Sequence, residues 1–357
     1  MATVCWRWKG DRSHSQQLRS ERFHPYSTLV SNQLERQFQS RLIGDPRQPC
    51  QSGKVTLENG KQYSIDFNSP RQYLPGNPGC RRALNRQYLL PITSTLLEPA
   101  AIDRCLAPNE TTRVRTGAVI DQLVRALQQG LRPQRIYEGG SWKKNTALGY
   151  DYDVDLVCFL PRFNHRCMAE YRDRAMKVLN AAFPPVDGVP QVWYEGRKWR
   201  HVGFHFRMVI VDLLFTGDPM ENHCQNPDEF YEPAYSQTND AAILHAKGQH
   251  PLLHHLVLLT KHWCKMPWEP PTLTAVEPSY SGRPGPRSCY LELLCKYTLE
   301  QSPPPRSVAE AFKRLLRLVA SGHTAVPKWT REEGEMDVQS YCRDAFVDHA
   351  KVTLAGI

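Results

Sequence analysis

The pattern of hydrophobic and polar positions near the N-terminus predicts a small module made of strands and one helix. Residues 54–57 and 61–67 have strand-like composition and flank an Asn-Gly pair, which is typical of a tight β-hairpin turn. In residues 31–38, Leu34 and Phe38 lie four positions apart among polar residues, which favours a short amphipathic helix. Together these patterns predict a helix packed on a small antiparallel sheet.

The rest of the chain predicts longer helices and buried strands. A Pro/Gly-rich stretch at 75–79 predicts a loop, and we place a domain boundary near residue 88. Residues 111–129 carry apolar residues at helical spacing, and Gly130 follows where a left-handed C-cap would lie. Further elements are expected as strands at 153–160 and 206–215 and as helices at 252–263 and 290–300, with a Pro/Gly/Ser-rich connection at 270–286. The chain is therefore expected to be an α+β protein.

Composition is consistent with a folded intracellular protein. Of the 357 residues, 41% are hydrophobic and 23% are charged, which differs from the signature of disorder. No segment approaches the roughly 20 apolar residues of a membrane span, and no apolar core follows a basic start, so neither membrane insertion nor secretion is expected. The 11 cysteines are scattered without a CxxC pair, which favours reduced thiols and a cytoplasmic location.

Positive charge is concentrated in the N-terminal part. Residues 1–86 hold 14 Lys and Arg against 6 Asp and Glu, whereas residues 87–357 hold 31 against 30. A basic module on a near-neutral body indicates that the anionic partner of the first part is separate from the chemistry of the second. The alternative is a disordered basic tail, and the hairpin pattern favours the folded module.

Three acidic residues stand on the predicted strands. Asp153 and Asp155 are separated by one residue, so their side chains point to the same face of a strand. Asp212 lies within an apolar run on the second strand. Ionised carboxylates on apolar strands are costly without a cation, and Mg²⁺ prefers oxygen ligands. The three carboxylates are therefore candidates to hold two Mg²⁺ ions for in-line nucleotidyl transfer.

A Gly-Gly-Ser sequence precedes these acids. Gly139 and Gly140 would let backbone N–H groups approach a phosphate, and Ser141 would add a hydroxyl donor. The alternative is a surface turn beside a solvated acidic edge. The combination of this turn with the acidic strand residues favours the phosphate site.

The run GGSWKKNTALGYDYDVDLVCFLP resembles the nucleotidyltransferase signature of the 2′-5′-oligoadenylate synthetase family. The similarity continues through FRMVIVDLLFTG, LVLLTKHWCK, CYLELLCKYTLEQ and VPKWT, and it covers about residue 100 to the C-terminus. The resemblance implies a polymerase-β-like core, a helical C-terminal lobe, ATP as substrate, Mg²⁺, 2′-5′-linked products and a role in innate immune signalling.

The same resemblance assigns roles to individual residues. It implies Asp153, Asp155 and Asp212 as catalytic metal ligands, and it implies Gly140, Ser141, Lys144, Lys261 and Tyr290 as nucleotide-binding residues. In this assignment Ser141 contacts the donor phosphates, Lys261 neutralises the triphosphate and Tyr290 stacks on a base. Without the family, Lys261 would be a surface lysine and Tyr290 a core aromatic residue.

Some positions depart from the family pattern. The phosphate loop of the family usually reads GSSGKGT, whereas residues 140–146 keep a lysine and lose two glycines. Residues 243–250 offer one lysine where vertebrate members present basic residues to double-stranded RNA, so we expect little dependence on that partner. Cys289 replaces a usual Gln, and the close pairs His223-Cys224 and His262-x-Cys264 lack zinc-site spacing.

Residues 4–87 resemble a WWE domain. The marks are Trp6-x-Trp8, the FHPY sequence at 23–26, Glu35, the hairpin ending at Phe67, and Arg71-Gln72-Tyr73. The known ligand of that family is the iso-ADP-ribose unit of poly(ADP-ribose), and by motif position the pocket would use Trp8, Tyr63, Gln72 and Arg82. The alternative is a basic protein-interaction fold without this ligand.

The sequence therefore predicts three parts. Residues 1–88 form a WWE-like α+β module, 89–240 a polymerase-β-like nucleotidyltransferase core, and 241–357 a helical C-terminal lobe. The predicted function is Mg²⁺-dependent polymerisation of ATP into 2′-5′-linked oligoadenylates, coupled to an ADP-ribose-binding module. Open alternatives are synthesis of a cyclic dinucleotide, tailing of RNA, and a non-catalytic nucleotide- or RNA-binding protein.

Overall fold

The structure is a computed structural model of the chain. It describes residues 3–9, 23–26, 28–43, 53–57, 60, 62–67, 71–75, 77–186, 190–197, 201–218, 232–266, 286–327, 335–336 and 343–357. These residues fall into two compact units, and each is described by itself. The first unit comprises 1–90, 109–140 and 153–237, and the second comprises 91–108, 141–152 and 238–357.

The N-terminal module of the first unit is a six-stranded antiparallel sheet with one helix. The strands are β1 (Thr3–Lys9), β2 (Phe23–Pro25), β3 (Gly53–Thr56), β4 (Gln62–Asp66), β5 (Arg71–Leu74) and β6 (Asn77–Leu89), and the helix is α1 (Thr28–Ile43). The spatial order is β2-β1-β6-β5-β4-β3. The predicted hairpin is confirmed as β3 and β4, with Gly60 in the left-handed region at φ 76°. The predicted loop at 75–79 is wrong for residues 77–79, because β6 already begins at Asn77.

A small aromatic core holds this module together. Trp6 is 2% exposed and makes edge contacts with Phe38 of α1 and Phe67. Its indole N–H donates to Glu35 Oε2 at 3.1 Å, so the polar end of the ring is satisfied inside the core. The helix predicted around Leu34 is confirmed, and it is longer than the sequence pattern indicates because its apolar face packs on β1 and β3.

The second sheet of the first unit has five strands. Its members are β7 (Arg135–Gly139), β8 (Asp153–Phe159), β9 (Val192–Arg197), β10 (His201–Phe206) and β11 (Val209–Thr216), in the order β7-β8-β11-β10-β9. Strands β8 and β11 are parallel, and the other neighbouring pairs are antiparallel. Helices α3 (Glu110–Leu131) and α5 (Met168–Ala182) pack on each other. The short helix α4 (Gly140–Lys143) follows β7.

Two local expectations differ from the structure. Gly130 is not the C-cap of α3, because the helix continues to Leu131 and Arg132 takes the left-handed position at φ 52°. A Cβ at Gly130 would overlap the side chain of Val178 on α5, so this glycine serves close helix packing. The strand predicted at 206–215 does not begin at Phe206, which is the last residue of β10. Arg207 and Met208 form a turn with positive φ, and β11 begins at Val209.

The second unit is mainly helical. It contains α2 (Pro99–Leu106), most of α6 (Glu232–Gln249), α7 (Leu253–Lys265), α8 (Ser288–Glu300), α9 (Val308–Ala320) and α10 (Arg343–Gly356), with the short pair β12 (Val326–Pro327) and β13 (Glu335–Met336). Helix α9 shows why this lobe folds, since Ser307 caps its first turn and its apolar residues recur at helical spacing. Its core includes fully buried residues from α7 to α10, among them Leu256, Trp263, Leu294, Phe312 and Phe346.

The α+β fold class expected from the sequence is confirmed, with a small N-terminal α+β module and a helical C-terminal region. The two predicted domain boundaries, at 88 and 240, stay predictions, because the two compact units interleave along the chain. Among the described residues, none of the helices has the length and apolarity needed to span a lipid bilayer.

Candidate active site

Asp155 and Asp212 are direct partners across the parallel strands β8 and β11. Paired residues in a ladder project to the same side of the sheet, so the two carboxylates share one face. Asp153 precedes Asp155 by two residues, so it lies on this face and is exposed. Along β11, Ile210, Asp212 and Leu214 of this face are half-buried, whereas Val209, Val211 and Leu213 of the other face are buried. The sheet therefore brings the three predicted carboxylates together on its accessible face.

This donor set fits a hard divalent cation. Three carboxylates on adjacent strands would supply oxygen ligands to such an ion, and none of the three side chains is fully buried. The side chain of Asp212 is 23% exposed, and its Oδ1 lies 3.5 Å from Nε2 of His201 on β10. Sequence reasoning missed His201. A signal was present, because His201, Gly203 and His205 alternate on one strand and Gly203 pairs with Asp212.

Gly140 is placed against Asp155 within the first unit. Its φ is 72°, in the region that favours glycine, and a Cβ built there would overlap Asp155 Oδ2. The absence of a side chain therefore lets the start of the Gly-Ser loop lie against the acidic strand. This contact is a reason for glycine that the sequence analysis did not give, and the approach of a phosphate to Gly140 stays a prediction.

The loop after Gly140 belongs to the second unit. It starts as the helical turn α4 and closes with a hydrogen bond from Thr146 N to Ser141 O at 2.9 Å. Ser141 is half-buried, and Trp142 stacks on Tyr152 with ring centroids 4.8 Å apart. The Trp142 ring is therefore packed against an aromatic residue of its own unit.

A buried charge cluster ties this loop to the helices of the second unit. Glu292 on α8 is fully buried, and its two carboxylate oxygens contact Lys144 Nζ at 2.8 Å and Lys261 Nζ at 3.0 Å. Lys144 also lies 3.3 Å from Asp240 Oδ1 on α6. Lys261 donates to Thr146 O and Oγ1 at 3.1 and 3.2 Å. Two cations and two anions thus neutralise each other inside the protein.

Burial and charge act in opposite directions in this cluster. Burial alone would raise the pKa of Glu292, but the two ammonium groups outweigh it and lower that pKa to about 2. Burial would lower the pKa of Lys144, and Glu292 and Asp240 reverse the direction so that it is raised. The pKa of Lys261 is lowered, chiefly because its ammonium group is completely desolvated.

This geometry bears on two sequence assignments. Lys261 is 5% exposed, so the alternative of a solvent-exposed surface lysine is wrong. Its contact with a triphosphate, and that of Lys144, stay predictions, and each ammonium group is engaged by Glu292 in this structure. Sequence reasoning missed Glu292, although an acidic residue inside the apolar run Tyr290–Cys295 carries the same signal as Asp212 on β11.

Tyr290 lies in the core of the second unit. Its ring is 0% exposed, its hydroxyl donates to Thr324 O at 2.9 Å, and Phe346 contacts its edge. Stacking on a nucleobase would therefore require the ring to leave this position, and that role stays a prediction. The neighbouring Cys289 is half-buried, and desolvation raises the pKa of its thiol.

The proposed ADP-ribose pocket is only partly described. Tyr63 and Gln72 are buried at 8% and 1% exposure, and the Tyr26 hydroxyl donates to Gln72 Oε1. The backbone of Gln72 pairs directly with that of Arg82 across β5 and β6. Trp8 and Arg82 lie in strands β1 and β6, but their side chains lie outside the described part of the structure. His223 and Cys224 and the connection at 270–285 also lie outside the described residues.

The chain is similar to solved structures at low identity. The Cid1 poly(U) polymerase with MgGTP bound shares 13% identity over 72% of this chain and 94% of that chain, with a TM-score of 0.48. The Rhodothermus marinus c-UMP-AMP synthase CdnE, solved with Apcpp and Upnpp, shares 14% identity over 74% of this chain and 97% of that chain, with a TM-score of 0.48. The GLD-2/RNP-8 complex shares 11% identity over 70% of this chain and 97% of that chain, with a TM-score of 0.47.

Sequence comparisons bear on the N-terminal part. A comparison with curated proteins found no significant match. Residues 4–86 match the WWE domain family. This range coincides with the six-stranded module and with the residues that carry the resemblance in the sequence. The predicted N-terminal WWE-like module is therefore confirmed over residues 4–86.

Proposed function

We propose that this chain is a metal-dependent nucleotidyltransferase that polymerises ATP into 2′-5′-linked oligoadenylates and releases pyrophosphate. The observation that carries the transfer chemistry is the pairing of Asp155 with Asp212 on one accessible sheet face, with Asp153 beside them. Two Mg²⁺ ions held by such carboxylates would activate the attacking hydroxyl and stabilise the leaving pyrophosphate.

The proposed phosphate-binding residues are Gly140, Ser141, Lys144 and Lys261. Gly140 leaves the space that the Asp155 carboxylate occupies, and the loop that begins there offers backbone N–H groups and the Ser141 hydroxyl to the donor phosphates. Glu292 holds Lys144 and Lys261 in fixed positions. A triphosphate would compete with Glu292 for these ammonium groups, so we expect Glu292 to govern how much positive charge is available to it.

The linkage and the nucleotide rest on the sequence resemblance to the 2′-5′-oligoadenylate synthetase family. The run from Gly139 through the acidic strand, the LTKHW sequence and the YLELL sequence support ATP and a 2′-5′ product. The sparse basic residues at 243–250 support weak dependence on double-stranded RNA. A cytoplasmic role in innate immune signalling belongs to the same proposal.

The N-terminal module supplies a separate binding function. Its net positive charge suits the diphosphate of iso-ADP-ribose, and the buried Tyr63 and Gln72 lie at the motif positions of the WWE pocket. We therefore propose that it recruits the enzyme to poly(ADP-ribose) or to ADP-ribosylated proteins.

Product analysis tests the catalytic proposal. The full chain is incubated with ATP and Mg²⁺, with and without duplex RNA, and the products are separated by anion exchange and digested with a 3′-5′-specific nuclease. We expect nuclease-resistant oligoadenylates with free 3′ hydroxyl groups. Cyclic dinucleotides or extended RNA would replace the 2′-5′ assignment while keeping nucleotidyl transfer. If incubation with each of the four nucleoside triphosphates gave no product, the catalytic proposal would be overturned.

A further inference from the structure

Asp103, His254 and His255 form a cluster on two packed helices of the second unit. Asp103 lies on α2, and the two histidines occupy the first turn of α7. Nε2 of His255 lies 3.1 Å from Asp103 Oδ2, and Nε2 of His254 lies 3.4 Å from Asp103 Oδ1. One ligand atom from each of the three residues lies within 4.8 Å of the other two.

Hydrogen bonding alone accounts for only part of this arrangement. If both imidazoles donate through Nε2 to the carboxylate, Asp103 is satisfied. The Nδ1 atoms of both rings remain buried without a hydrogen-bond partner. The two rings lie 5.1 Å apart and nearly perpendicular, so both direct Nε2 to one carboxylate without stacking on each other. The protein therefore holds an imidazole nitrogen of each histidine beside one oxygen of the same carboxylate, with the donor atoms within 4.8 Å of one another.

This donor set is that of a transition metal. Zn²⁺ binds imidazole nitrogen and carboxylate oxygen at about 2.0–2.2 Å, so donors around one tetrahedral ion lie roughly 3–4 Å apart. The contacts at 3.1 and 3.4 Å fall in this range. Mg²⁺ prefers oxygen ligands alone, which separates this cluster from the acidic strand residues.

The cluster is accessible to an ion. The side chain of Asp103 is 53% exposed, and those of His254 and His255 are 22% and 18% exposed. Three protein ligands leave a fourth position for water or for a substrate group.

We propose that Asp103, His254 and His255 bind a divalent transition-metal ion, Zn²⁺ in particular, and that this ion fastens α2 to the start of α7. Helix α7 also carries Lys261, seven residues after His254 and therefore two turns along the helix. The ion thus anchors the helix that holds one cation of the buried charge cluster. The site is separate in chemistry from the proposed Mg²⁺ carboxylates and does not depend on their activity.

Metal titration of the full chain tests this site directly. The protein is stripped with a chelator and titrated with Co²⁺ in excess Mg²⁺, which occupies oxygen-only sites. We expect one equivalent of Co²⁺ with visible ligand-field bands and without the intense near-ultraviolet bands of thiolate ligation, and displacement by Zn²⁺. Thiolate bands would indicate a cysteine site and would overturn the proposal.

Matched variants identify the ligands. Asp103→Asn keeps the shape and can still accept hydrogen bonds, and we expect it to weaken Co²⁺ binding at least tenfold. The double change His254→Gln with His255→Gln should abolish binding, whereas His245→Gln, at an exposed position of α6, and Asp155→Asn should leave it unchanged. Equal Co²⁺ affinity in wild type and Asp103→Asn would overturn the proposal. Because Asp103 is exposed, this single variant is expected to fold even if the double histidine variant does not.

Thermal unfolding supplies an independent readout. An ion that binds the folded chain raises its stability in proportion to the logarithm of its concentration. We therefore expect Zn²⁺ to raise the Tm of wild type and His245→Gln and to leave that of Asp103→Asn unchanged. An equal rise in all three proteins would contradict a site at Asp103.

Discussion

Gly140 lies against Asp155, and the carboxylate of Asp155 occupies the space where any other residue at position 140 would place its Cβ. The backbone of Gly140 is also left-handed, at φ 72°. One residue thus satisfies two constraints, because the left-handed turn starts the Gly-Ser loop and the missing side chain admits the carboxylate. The position of the proposed metal ligand and the backbone conformation of Gly140 are therefore coupled.

Gly140→Ala is expected to reduce synthesis at least tenfold. The left-handed backbone costs about 1 kcal/mol for alanine, and the new methyl group must displace the Asp155 carboxylate. Initial rates of pyrophosphate release measure the effect. Gly117→Ala is the control, because it lies inside α3 with nothing within 4 Å of its Cβ. Equal rates in both variants would contradict a catalytic role for the Gly140 and Asp155 contact.

Asp155→Asn and Asp212→Asn are each expected to lower ATP polymerisation by about a hundredfold or more, because each removes a charge from the metal site without a change in volume. Both positions are half-buried, so the Tm should change little. The rate is compared with that of Asp173→Asn, an exposed carboxylate on α5. Near-wild-type turnover in either strand variant would remove that residue from the metal site.

Glu292→Gln is expected to destabilise the protein by about 3–5 kcal/mol, because it leaves the ammonium groups of Lys144 and Lys261 buried without their shared anion. Denaturant unfolding gives the free-energy difference. Glu170→Gln, at an exposed position of α5, should change stability by less than about 0.5 kcal/mol. A loss of that small size for Glu292→Gln would show that the cluster does not stabilise the folded chain.

Acid is expected to destabilise the second unit in two steps. The ring of His349 stacks on Trp263, and burial lowers its pKa from 6.5 to about 4. Between these values the unfolded chain binds the proton and the folded chain does not, so stability falls as the pH is lowered from 6.5 to 4. The pKa of Glu292 is lowered from 4.5 to about 2, so its contribution is present above pH 4.5 and is lost as the pH falls toward 2.

His349→Gln tests the first step. The variant lacks the titrating ring, so the stability difference between wild type and variant should shrink as the pH falls from 6.5 to 4. Urea unfolding at several pH values measures it. A difference that stays constant over this range would show that His349 is not held neutral in the folded protein.

Arg82→Ala is expected to weaken binding of iso-ADP-ribose to the full chain roughly ten- to hundredfold. A guanidinium can bind a diphosphate through two parallel N–H bonds, and loss of such a charge-assisted contact costs about 1.5–3 kcal/mol. Calorimetry measures the affinity, and ATP polymerisation should stay unchanged. Arg71→Ala, exposed on the neighbouring strand β5, is the matched control. If iso-ADP-ribose gave no binding heat with the wild-type protein, the protein-interaction alternative for this module would be favoured.

Some features of this protein were determined by the sequence alone because they depend on local periodicity. Alternation in a strand places Asp153 and Asp155 on one face, an Asn-Gly pair specifies the hairpin before Gln62, and spacing of four specifies helix α1. Each of these follows from residues within a few positions of each other. The same holds for the basic charge of the N-terminal module.

Other features were decided only by the tertiary structure, because they depend on contacts between distant segments. The register that pairs Asp155 with Asp212 joins strands more than fifty residues apart. The burial of Lys261 on Glu292 reverses what an isolated lysine in a helix predicts, because a cation enters the interior only where an anion compensates its desolvation. Packing on Val178 likewise keeps Gly130 inside α3 and moves the cap to Arg132. Local sequence preference favours certain strand registers, burial patterns and helix ends, but the packing of distant segments determines which of them form.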